Sequence, residues 1–172
     1  MMVEMAIALV LELEQKIHMV YLTAAQQTTN DVGRKFFRIL AEEEESHVKY
    51  FERKLTEWKT SGTVVDETLR SLVPPAAVIT AQVAHMTKQL DLASCPDLGQ
   101  DLALLERALA AEKETAAFYQ RLVNELPSSD RGLFERFLKI EHGHVAIVQA
   151  ELDALNRAGY WFDFPEFTLE AE

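Results

Sequence analysis

The chain is predicted to be all-α: a four-helix bundle made of one helical hairpin used twice, with a long crossover containing a short extra helix between the two copies. Three observations lead there. The 172 residues include only 6 Gly and 5 Pro, a composition rich in helix formers. Four long stretches carry apolar residues at helical spacing with no interior proline. The pattern also repeats: Arg34, Phe37, Glu44 and His47 recur 97 residues later as Arg131, Phe134, Glu141 and His144, and Glu14 and Tyr21 recur 98 residues later as Glu112 and Tyr119.

The first helix is placed over 3–29, on the stripe Ile7, Val10, Glu14, Ile17, Tyr21, Ala24. Asn30, Asp31 and Gly33 punctuate the chain before a second helix over 33–59, with the stripe Phe37, Leu40, Glu44, His47, Phe51, Leu55. So short a connection forces antiparallel neighbours. The segment 60–97 breaks at Ser61-Gly62 and again at Cys95-Pro96, and Pro74-Pro75 is suited to starting a crossover helix over about 75–92. A third long helix, 98–126, carries Leu102, Leu105, Leu109, Glu112, Ala116, Tyr119 and Val123. After Pro127, Ser128, Ser129 and Asp130, the fourth long helix, 130–157, carries Phe134, Phe137, Glu141, His144, Val148 and Leu152. The expected organisation is one bundle over 1–158, followed by a tail over 159–172. Its residues Tyr160, Trp161, Phe162, Phe164 and Phe167 are too aromatic to leave in water, so the tail is expected to dock on the bundle or on a partner subunit.

Charge and cysteine content narrow the function classes. With 28 acidic against 17 basic side chains and a net charge of −11, the surface field repels phosphate backbones and anionic headgroups, so neither nucleic acid nor a membrane surface is an expected partner. The single cysteine, Cys95, cannot form an intrachain disulfide or a CxxC metal pair, which fits a cytoplasmic protein. The opening MMVEMAIALVLELEQK has no basic stretch before Lys16, and Glu4 and Glu12 interrupt its apolar run. It reads as a buried helix and not as a signal peptide or a membrane span.

The informative residues are the polar interruptions of the four stripes. Glu14 and Glu112 stand alone on theirs; Glu44 with His47, and Glu141 with His144, form Glu-x-x-His pairs. An uncompensated carboxylate in an apolar core loses several kcal/mol of solvation or takes up a proton. Four of them in one core call for cations. Glu-x-x-His places both side chains on neighbouring lines of one helix face, so both reach the bundle centre. Four carboxylates and two imidazoles form the ligand set of ferritin-like di-iron and di-manganese proteins. One such motif is a weak signal, but two at equivalent places of a repeat, each following a stripe glutamate, are a strong one.

The segments ELEQKIHMVY, FFRILAEEEESHVKYFE, ALAAEKETAAFYQRL and LFERFLKIEHGHVAIVQAEL resemble the core helices of rubrerythrin-like proteins of the ferritin-like superfamily, over about residues 4–157. The resemblance implies two iron ions, with manganese or zinc as alternatives, held by Glu14, Glu44, His47, Glu112, Glu141 and His144 and bridged by Glu44 and Glu141. It also implies that Tyr21 and Tyr119 hydrogen-bond behind the ligands; otherwise they are core aromatics with a satisfied hydroxyl. The implied activity is an oxidoreductase of peroxidase or ferroxidase type, in a protein expected to be a homodimer. The expected substrates are peroxide or dioxygen, with electrons from an external donor such as a rubredoxin-like protein. Iron handling, for storage or delivery, is the alternative. Two departures stand out: the chain lacks cysteines for a rubredoxin domain, and Thr115 occupies the position where rubrerythrins carry a further glutamate. His18 is expected to be a hydrogen-bonded residue near the bundle surface. Glu42, Glu43 and Glu45 are expected to form a solvated face, His142 to point away from the core, and Gly143 to allow a close helix contact.

Overall fold

The computed structural model describes residues 2–65, 67–86 and 98–167. Four long helices, α1 (Val3–Gln27), α2 (Asp31–Ser61), α4 (Gly99–Glu125) and α5 (Gly132–Ala158), form the bundle, with α3 (Ala76–Met86) between the hairpins and a 3₁₀ turn at Phe164–Phe167. α1 packs on α2 and α4 on α5, α1 and α4 meet across the bundle, and α3 lies on α5. Two hairpins joined by a crossover with a short helix give the ferritin-like arrangement. Cys95, Pro96 and residues 87–92 of the predicted crossover helix lie outside the described residues, as do 168–172 of the tail. Among the described residues, no helix is long and apolar enough to cross a membrane.

The predicted stripes are the buried faces: Ile7, Val10, Ile17 and Tyr21 on α1, Phe37, Leu40 and Phe51 on α2, and Phe134, Phe137 and Val148 on α5 are all in the core. α2 starts earlier than its spacing suggested because Asn30 caps it. The Asn30 side-chain oxygen accepts from the backbone N–H of Val32 (2.9 Å) and of Gly33 (3.1 Å), a cap worth about 1 kcal/mol.

Gly33 is therefore not a break but a residue of the first helical turn, and the tail explains it. A Cβ there would lie 2.7 Å from the Trp161 ring. Trp161 packs against Phe36 and Phe37 with ring centroids 5.7 and 5.5 Å away, and its Nε1 donates to the buried Asp101 carboxylate (3.3 Å), which also accepts from Thr28 Oγ1 (2.7 Å). Glu151 accepts the Phe162 N–H at 3.0 Å. Gly33→Ala is expected to lose about 1–3 kcal/mol in thermal denaturation, because displacing a packed indole outweighs the helix propensity that alanine adds. An unchanged or higher Tm would contradict this packing.

The start of the crossover is clamped to α2. The fully buried Lys54 donates to the Val65 carbonyl (2.6 Å) and to Glu57 (3.0 Å), and Tyr50 Oη donates to the Glu67 carbonyl (3.1 Å). A lysine ammonium is buried here only because carbonyl and carboxylate oxygens surround it.

Candidate metal centre

Glu14, Glu44, His47, Glu112, Glu141 and His144 come together in the middle of the bundle, each with 0% exposure. Helical geometry accounts for the convergence: each pair or single residue takes the place of an apolar side chain in its stripe, at the same level of the bundle. His47 Nδ1 lies 3.2 Å from Glu14 and 3.1 Å from Glu44, while His144 Nδ1 lies 2.7 Å from Glu44 and 3.6 Å from Glu112. The Glu44 carboxylate belongs to both groups. The two imidazoles stack face to face, 4° from parallel with centroids 5.4 Å apart. Glu141 reaches His47 Nδ1 only at 3.9 Å.

His47 Nδ1 is satisfied by Glu14 and Glu44, but other atoms of the cluster approach one another without pairing. Glu44 Oε1 and His144 Nδ1 are 2.7 Å apart yet make no hydrogen bond, and Glu112 Oε2 and both Glu141 oxygens likewise have no hydrogen-bond partner. Buried polar atoms are nearly always paired, so a cluster of orphans needs a reason. Donors at right angles on one cation, with bonds of about 2.1 Å, stand about 3 Å apart and aim at a common point instead of at each other. Two donor sets, Glu14/Glu44/His47 and Glu44/Glu112/His144, each have their ligand atoms within 4.8 Å of one another, and they share Glu44. The residues present therefore fit two metal ions.

Without cations the cluster manages its charge with protons. Burial pushes the Glu14 carboxyl up to about 7 and that of Glu112 up to about 8. Burial, with the charges of Glu14 and Glu44 added, holds Glu141 well above the carboxylate range. At Glu44 burial acts the same way, but the imidazoles of His47 and His144 outweigh it and the carboxyl stays ionised, below its usual range. Burial alone would lower both histidines, but the Glu44 charge, helped by Glu14 at His47 and by Glu112 at His144, raises them.

The tyrosines cross the bundle. Tyr21 on α1 donates its hydroxyl to Glu112 on α4, and Tyr119 on α4 donates to Glu14 on α1. Burial followed by the neighbouring glutamate charge raises both phenols well above their usual range, so each keeps its proton and remains a donor. Phe137 closes the space beside them, 4.5 Å from Phe51, 5.8 Å from Tyr119 and 5.2 Å from His47 between centroids.

Glu43 corrects the sequence expectation of a solvated face. It is buried, 2% exposed, because the crossover packs against it; its two oxygens accept the Leu72 backbone N–H at 3.1 and 3.0 Å. Burial acts to raise its carboxyl, but the nearby His144 imidazole, with Ser71 and the Leu72 N–H on the crossover side, brings it below the usual range. Its Oε1 faces His47 Nε2 at 3.8 Å and His144 Nε2 at 3.9 Å. An imidazole that offers Nδ1 to a metal keeps its proton on Nε2, so Glu43 reads as one acceptor set behind both rings and not as a third cation site. The available signal was its place four residues before His47, masked by the run Glu42–Glu45. Glu42 and Glu45 are exposed.

The remaining candidates fall outside the cluster. His18 is half-buried, with Nδ1 2.8 Å from the Ala41 carbonyl oxygen. Thr115 is buried and donates to the Ala111 carbonyl (3.1 Å), Glu114 pairs with Lys16 at the surface, and His142 is exposed. Gly143 makes room not for a helix but for the crossover: a Cβ there would lie 2.9 Å from the Pro74 carbonyl oxygen. Compared with models of known protein families, with curated proteins and with solved structures, the chain matches none.

Proposed function

We propose that this protein is a di-iron carboxylate oxidoreductase of the rubrerythrin-like kind, reducing peroxide or dioxygen with electrons from an external donor. The observation that carries the reading is the shared Glu44 carboxylate, set between two imidazole Nδ1 atoms: its Oε2 hydrogen-bonds His47 Nδ1 at 3.1 Å, while its Oε1 and His144 Nδ1, 2.7 Å apart, have no hydrogen-bond partner. Glu14, Glu44 and His47 would hold one ion and Glu44, Glu112 and His144 the other, and Glu141, whose two buried oxygens have no hydrogen-bond partner, would complete the donor set. Carboxylate and imidazole donors suit iron or manganese, and among the six there is no thiolate of the kind that structural zinc sites favour. When bound, a pair of such ions supplies two reducing equivalents at one place.

The residues around the pair hold it in a dry, fixed setting. Phe37, Phe51 and Phe137 exclude water from the centre. Tyr21 and Tyr119 fix the orientation of the single glutamates and hold a proton on each hydroxyl beside the centre. Thr115 spends its hydroxyl on its own helix and brings no carboxylate, so the ligand exchange that a further glutamate would permit is weakened.

Stopped-flow mixing of the anaerobic Fe(II)-loaded protein with peroxide or dioxygen tests the reading. Oxidation should appear as a rise in near-ultraviolet absorbance, with continued turnover only when a separate donor is added. Protein shown to carry two irons that responds to neither oxidant would refute the redox reading. A faster response to dioxygen with continued uptake of Fe(II) would assign the centre to iron handling instead.

A further inference from the structure

Resting on the metal-centre reading above, we infer that Glu43 links metal occupancy to the docking of the crossover strap 71–75, so that the strap is a positioning element of the centre. The strap does not touch any of the six candidate ligands by a hydrogen bond. It reaches them through one side chain. The Leu72 N–H is held by both oxygens of Glu43 (3.1 and 3.0 Å), and the same carboxylate faces the Nε2 atoms of His47 and His144 (3.8 and 3.9 Å). Both Nε2 atoms are fully buried and have no hydrogen-bond partner, so Glu43 is the acceptor set within reach of them.

The strap is built to hold that position. Val73 and Pro74 are buried, Ser71 Oγ donates to the Val73 carbonyl and accepts the Val73 N–H, both at 3.1 Å, and the Pro74 carbonyl sits against Gly143, next in sequence to His144. Leu72 differs: its side chain is 54% exposed, so its contribution to this contact is its backbone N–H. The repeat makes Glu43 singular, because the equivalent residue of the second hairpin is Ile140. One carboxylate serves both histidines, and one amide orients it.

Outer partners of metal-binding histidines fix ring orientation, and their loss typically costs 10–100-fold in affinity. Linkage is reciprocal: a docked strap that favours metal binding must itself be favoured by bound metal, by the same factor. Two measurements read that factor from opposite ends. Hydrogen-exchange mass spectrometry of the segment spanning the strap, with and without anaerobically added Fe(II), should show exchange at Leu72 slowed about tenfold by the metal. Leu72→Pro, which deletes the N–H while altering a side chain that faces solvent, should weaken Fe(II) binding in equilibrium dialysis by about the same factor, whereas Leu72→Ala, which keeps the N–H, should not.

Wild-type protein that binds two Fe(II) with no change in strap exchange would overturn the coupling and leave the metal centre standing, and that result needs no variant to fold. Leu72→Pro binding Fe(II) as tightly as Leu72→Ala would overturn it equally. Wild-type protein that binds no Fe(II) would instead remove the metal-centre reading on which the coupling rests.

Discussion

Glu44→Gln should destabilise the metal-free protein by about 3–5 kcal/mol, while Glu141→Gln, at the equivalent place of the second hairpin, should cost far less. The two glutamates are related by the repeat, but their surroundings have separated them. Glu44 is ionised between His47 and His144, both raised by its charge. An amide there leaves buried imidazoliums without their principal counter-charge. Glu141 is held neutral by burial and by the charges of Glu14 and Glu44, so glutamine replaces one neutral group with another of the same shape. Both variants should lose two-metal binding. Urea unfolding in the presence of a chelator at pH 7 separates them, and equal losses would show that the charge is not distributed as described.

The metal-free protein should also lose several kcal/mol of stability as pH rises from about 6 to about 8.5, and metal loading should abolish that slope. In the folded chain the Glu14 carboxyl titrates at about 7 and that of Glu112 at about 8, against 4.5 for each when unfolded. The folded state thus binds more protons than the unfolded one in this range. The stability these groups confer is complete below about pH 4.5 and is lost as pH climbs through their folded values. His47 and His144, also raised, push in the same direction. Glu43 and Glu44, both lowered, stay ionised throughout this window and do not oppose the trend. Cations displace the protons, so Fe(II) affinity should rise with pH; if two protons leave, it rises on the order of 100-fold per unit for the pair of ions. A Tm series in chelator that is flat or rising between pH 6 and 8.5 would contradict this account.

The bundle and its centre were legible because they rest on periodicity. A glutamate at an apolar position, such as Glu14 or Glu112, is conspicuous against a regular stripe, and the repeat supplied a second reading of each half. What escaped lies where contacts come from distant chain without a periodic signature. Glu43 looked solvated because nothing in the helix pattern indicates that residues 71–75 cross that side of α2. Lys54, between Lys49 and Lys59 in sequence, gives no sign that the crossover will bury it. Gly33 resembled a helix break, whereas its missing side chain accommodates an indole from the tail 128 positions later in the chain. Apolar patterning specifies which face of a helix is buried, but not which irregular segment buries the rest.

The central claim is that six side chains in the bundle core bind two metal ions, and crystals grown from anaerobically Fe(II)-loaded protein test it most directly through anomalous scattering at the iron edge. Two peaks about 3.5–4 Å apart, one against His47 and the other against His144 and both beside Glu44, are the predicted result. A core with no anomalous peak, in protein shown by elemental analysis to carry iron elsewhere, would contradict it.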